Sequence, residues 1–121
     1  MKMRSMVRLA GTLWVAALVM ITPPLWAHTE QEGMTPEHAS TIEGSPEKIA
    51  VWFDHAMRLT LFQVTGPDGQ VPLSTAPDRD PITRFETTPV SALPPGEYTV
   101  KWRGMAADGH AMFDEFYFTI R

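Results

Sequence analysis

Cysteine is absent from all 121 residues. That excludes disulfides as a source of stability and thiolates as metal ligands, so zinc–thiolate, iron–sulfur and His-His-Cys copper sites are ruled out. Any metal site must use nitrogen and oxygen donors, with methionine thioether as its one kind of sulfur. Long apolar runs are lacking as well. The uncharged, mostly apolar stretch Leu9 to Thr22 falls short of the roughly 20 residues that span a bilayer. No stretch offers a convincing amphipathic helix, and there is no internal repeat and no low-complexity tract.

Cations are concentrated where they say something about export. Lys2, Arg4 and Arg8 precede the apolar run, and Pro23-Pro24-Leu25-Trp26-Ala27 follows it. This is the order of a secretory signal peptide. Ala27 is the natural last residue before cleavage, although Leu25 is bulkier than the usual small residue two places earlier. The expected domains are therefore a signal peptide at 1–27 and a mature domain at 28–121, of a size that suits one core. Setting aside the three signal cations leaves seven Lys and Arg against 14 Asp and Glu. Such an acidic surface argues against nucleic acid or an anionic membrane as partner and suits the collection of cations.

What the chain does have is turn punctuation. Eleven prolines and eight glycines divide it into short pieces in which apolar residues alternate with a period of two, as half-buried strands require. Ile49, Val51 and Phe53 form one set. Leu59 to Thr65 forms a second, returned through Gly66-Pro67-Asp68-Gly69 into Gln70 to Leu73. Thr83 to Thr88 is a weaker strand. After Leu93-Pro94-Pro95-Gly96, Tyr98, Val100 and Trp102 point one way. Met112, Phe116, Phe118 and Ile120 share the last inward face, interrupted by Asp114. Ser74 to Pro81 reads as a surface loop. About seven strands imply an all-β, immunoglobulin-like or cupredoxin-like Greek-key sandwich. The Tyr98 segment has the form of a tyrosine corner, which makes Tyr98 structural and Trp102 a core residue.

Four histidines lie beyond the signal segment, at 28, 38, 55 and 110. As a new N-terminus, His28 offers its α-amine and Nδ1 to one metal in a six-membered chelate ring. An amine with a pKa of about 7.7–8.0 loses its proton cheaply at neutral pH. Cu(II) prefers tetragonal nitrogen and oxygen donors and heads the divalent affinity order. Asp108 and His110, if extended at a strand edge, project on the same face and add an imidazole with a carboxylate as weak ligand or orienter. From the residues alone His55 reads as a turn histidine after Phe53-Asp54, and His38 as solvated.

Several segments resemble the CopC family of periplasmic copper-resistance proteins: His28-Thr29, Pro46 to Ile49 leading to Phe53-Asp54-His55, the Gly66 to Gly69 turn, and Leu93 to Arg103 running into Ala107-Asp108-Gly109-His110. The resemblance covers nearly the whole mature chain in order. It implies a sandwich that binds Cu(II) through His28, by amine and imidazole, with Asp108 and His110. Members with the fullest site often carry a glutamate where this chain has His55, which makes His55 a further candidate ligand. Some members also hold Cu(I) in a methionine-rich loop, whereas residues 74–88 contain no methionine. Met34, Met57, Met105 and Met112 are scattered, so one Cu(II) site is expected.

The expected role is a periplasmic carrier, not an enzyme, that sequesters Cu(II) and passes it to an inner-membrane transporter of the CopD kind. Alternatives are a copper-dependent oxidative enzyme with a histidine-brace-like site, or a structural sandwich with incidental histidines. Zinc would suit the same donors.

Overall fold

The computed structural model describes residues 31–121; the expected signal peptide and His28 lie outside them. Seven strands follow in order: β1 (Gln31–Thr35), β2 (Ser40–Ile42), β3 (Ile49–Gly66), β4 (Gly69–Gln70), β5 (Pro81–Thr87), β6 (Gly96–Ala106) and β7 (Ala111–Ile120). The all-β expectation holds. The two layers are joined in one curled sheet, ordered β1-β3-β6-β7-β2, with β4 and β5 also paired to β3. Every ladder is antiparallel except that of β2 on β7.

The segments Ile49 to Phe53 and Leu59 to Thr65, expected as two strands, form the single 18-residue β3. The chain between them, Asp54 to Arg58, contains neither glycine nor proline and so nothing that turns it back. What changes is the partner: β1 flanks residues 50–53 and β6 flanks residues 57–65. Midway, Leu59 opposes Gly104 and Leu61 opposes Arg103, leaving Thr60 as an extra residue. Such a bulge inverts the alternation. The residues that β3 gives to the core cluster are odd-numbered up to Leu59 and even-numbered at Phe62 and Val64.

These side chains meet Tyr98, Val100 and Trp102 from β6 and Phe116, Phe118 and Ile120 from β7 in one buried cluster. Tyr98 stacks on Phe118 at 5.4 Å, and its hydroxyl donates to the Pro94 carbonyl at 2.6 Å, as a tyrosine corner requires. The return through Gln70 to Leu73 is shorter than expected: β4 ends at Gln70, and Leu73 makes a single bridge to Pro89. Pro72 has no N–H to extend the ladder.

Candidate metal centre

The hairpin joining β6 to β7 is built for a tight reversal. The Gly109 amide donates to the Ala106 carbonyl at 2.9 Å, and the Ala106 amide donates to the His110 carbonyl at 2.9 Å. Gly109 sits at φ +88°, a left-handed conformation that glycine adopts without a Cβ clash. Asp108 completes the turn with both oxygens. Oδ1 accepts the His110 amide at 3.0 Å and Oδ2 lies 2.6 Å from His110 Nδ1.

Asp108 and His110 were expected to converge by strand alternation, and the structure corrects the route. They meet across a turn, because Asp-Gly favours left-handed backbone and the carboxylate can bond two residues ahead. The His110 amide, and then its ring, hold the Asp108 carboxyl below the usual carboxylate range. A carboxylate on Nδ1 fixes the tautomer in which Nε2 carries the lone pair, the form in which imidazole ligates metals. Both side chains are well exposed.

His55 is not in a turn. It lies inside β3, on the parity of Phe53 and Met57, yet its side chain is 74% exposed while both of those neighbours are buried. Its Nε2 is 4.0 Å from Asp54 Oδ2. Met57 is buried and Met105 exposed, so their thioethers face opposite sides of the sheet. His38 does more than meet solvent: Nδ1 accepts the Tyr117 amide at 3.3 Å, and the rings pack edge-on at 4.5 Å. It holds the edge of β7, away from the other two histidines.

The pairing of β3 brings the separate segments to one place. Trp52 pairs with both Gly33 of β1 and Arg84 of β5, while Met57 pairs with both Ile82 of β5 and Ala106 of β6. Since β5 keeps to one edge, β1 and β6 share the other. Between them, Asp54, His55 and Ala56 have no ladder partner on that edge among the described residues. β1 begins opposite Phe53 with its N-terminal end directed at this gap, and β6 ends opposite Met57 and runs into the Asp108–His110 turn beside it. Among the described residues no three carboxylate or histidine side chains are gathered closely enough to hold an ion. Asp108 and His110 supply a pair.

One residue that sequence patterning left unremarked also lies here. Gln31 accepts the buried Trp102 indole N–H on Oε1 at 3.1 Å. Nothing in local sequence signals it, because it depends on a bulge in β1.

The CopC domain model matches residues 31–121. Copper resistance protein C of Escherichia coli is 28% identical over 106 residues, covering 78% of this chain and 82% of its own. Protein YobA of E. coli K12 is 24% identical over 106 residues, with 84% and 86% covered. Among solved structures, PcoC, a methionine-rich copper resistance protein from E. coli, superposes with a TM-score of 0.62 at 30% identity, over 78% of this chain and all of its own. CopC from Methylosinus trichosporium OB3b shares the fold with a TM-score of 0.60 at 20% identity, over 77% and 93%. A family match through the last residue of the chain, with the same fold in these relatives, settles the matter: this chain belongs to the CopC family.

Proposed function

We propose that the chain is a periplasmic copper-binding protein whose mature form, residues 28–121, begins at His28 and holds one Cu(II). The reading is carried by the gap at Asp54–Ala56, where the entry of β1 and the Asp108–His110 turn converge on the edge of β3. His28 is three residues before Gln31, a reach of at most about 10 Å in extended chain. Its amine and Nδ1 would close the chelate ring, Nε2 of His110 would add a third nitrogen, and Asp108 would orient that imidazole. His55 lies within the Asp54–Ala56 segment, exposed, and adds a fourth candidate donor. The copper resistance proteins among the relatives support copper as cargo over zinc.

Tight binding without turnover is the chemistry of a carrier. We assign the protein to copper sequestration and to delivery toward an inner-membrane CopD-like transporter. The test is intact mass of the exported protein followed by Cu(II) titration, beside a variant with one extra alanine before His28. A native N-terminus at His28 and one Cu(II) bound far more tightly than in the extended form are the expected results. Equal affinity in the two forms would sink the reading.

A further inference from the structure

The outer face of β3, β6 and β7 carries side chains that the copper reading does not use. Val100 and Trp102 of β6 and Phe116 and Phe118 of β7 point into the core, so Arg103, Met105, Phe113 and Tyr117 stand on the opposite face. Leu61, Arg103 and Phe113 pair in one row across the three strands, and Arg58, Met105 and Ala111 pair in the next. Ala111 follows His110 in the chain, so that second row borders the Asp108–His110 turn. Phe113 is 75% exposed, and with Met105 and Tyr117 it makes three of the four exposed large apolar side chains among the described residues. Scattered singly, such side chains need no explanation; grouped and rimmed by charge, they mark a contact surface.

The charge on this face runs against that of the molecule. Beyond Ala27 the chain has twice as many carboxylates as Lys and Arg. Lys48 and Arg84 share Glu86, and Lys101 meets Glu115. Arg58 and Arg103, which oppose Met105 and Phe113, join no ion pair among the described residues. Both are exposed, and Arg58 donates to the Arg79 carbonyl at 3.3 Å. Arginine, methionine and aromatic residues are the types enriched where proteins meet, and a guanidinium presents a fork that a carboxylate fits.

We infer that this face docks a partner protein through a segment that mixes carboxylates with apolar side chains, the acids on Arg58 and Arg103 and the apolar groups on Met105 and Phe113. Charge decides between occupants. A second copy meeting this face symmetrically would set the arginines against their own counterparts. An anionic bilayer would repel the carboxylate excess on the rest of the domain. A carboxylate-bearing partner meets neither obstacle. The inference does not depend on the copper reading, because every residue in it is set by the sheet alone.

The experiment places the photo-crosslinking residue p-benzoylphenylalanine at position 113 of the full chain, in the bacterium that makes it and without added copper. A second probe replaces Val90, which is exposed but lies outside the three strands. The expected result is a protein adduct from position 113 and none from position 90, with Asp or Glu among apolar residues in the crosslinked peptide. Arg58→Glu combined with Arg103→Glu should lower the adduct yield about tenfold or more, since like charges set face to face oppose association. Arg58→Gln combined with Arg103→Gln should lower it less. Replacing the carboxylates of the crosslinked peptide by lysine should restore the adduct of the double Glu variant, a recovery that misfolded protein could not give.

No adduct at position 113, equal adducts from both positions, an adduct to lipid or to a second copy, a crosslinked peptide without carboxylates, or a yield indifferent to charge reversal overturns the inference. Since no arm of the experiment uses copper, failure of the copper reading leaves its outcome unchanged.

Discussion

A tyrosine hydroxyl shows how one side chain sets a measurable property of the fold. Burial raises the Tyr98 phenol above its ordinary pKa of 10.0, with the Asp68 charge adding to the effect. Below pH 10 both folded and unfolded chains keep the proton, and the contribution is fully present. As pH rises further, the unfolded chain ionises first and is favoured, so stability falls. Tyr98→Phe should remove that part of the alkaline decline, read as the difference between parent and variant in urea unfolding at a series of pH values. At neutral pH it should cost about 1 kcal/mol for the lost bond to Pro94. Asp108 works in the opposite direction. Its depressed carboxyl stays ionised as pH falls, so the clamp on His110 persists until pH drops through that lowered value. Tyr98 and the Asp-x-His pair were both legible in sequence, because local spacing defines them. Gln31 was not, since its partner is 71 positions away and the bulge that turns it leaves no mark in composition.

Among the strands, β3 decides where everything else goes. Its alternating halves could be read from the sequence, but their union could not: period-two patterning says which way residues face and nothing about whether the chain turns between two runs. His55 was misread as a turn residue for that reason. The attachment of β1 to β3 is similarly a matter of contact rather than pattern. Gly33 lies under the Trp52 indole, where an added Cβ would overlap the ring, and Arg84 covers the ring with its guanidinium 4.7 Å from the centroid. Gly33→Ala must displace Trp52, disturbing its contact with Arg84, or lift β1 from the sheet. An overpacking cost of about 1–3 kcal/mol is expected, measured by urea unfolding of copper-free protein.

For the molecule as a whole, the absence of disulfides leaves stability to the core, and bound copper becomes a sizeable addition. At free Cu(II) of 100 times Kd, linkage supplies about 2.7 kcal/mol, which in a domain of this size raises Tm by roughly 10–20 °C. Scanning calorimetry should show that increase for protein beginning at His28, its reversal by chelator, and a much smaller increase with one extra N-terminal residue. Fold class and family were readable because both are spread along the chain as turns and alternation. The meeting of distant segments at Asp54–Ala56 was implied only by the family resemblance and not by patterning, because it follows from which edge of β3 each neighbour takes. That window, unpaired among the described residues, also divides the labour of the protein. Phe53 and Met57 on either side of it, and Ala106 opposite Met57, are buried, whereas the side chains of His55, Asp108 and His110 are exposed on backbone held by other residues. On the copper reading proposed above, mutation can exchange one donor for another there, and retune affinity or metal preference, while the folding information stays intact.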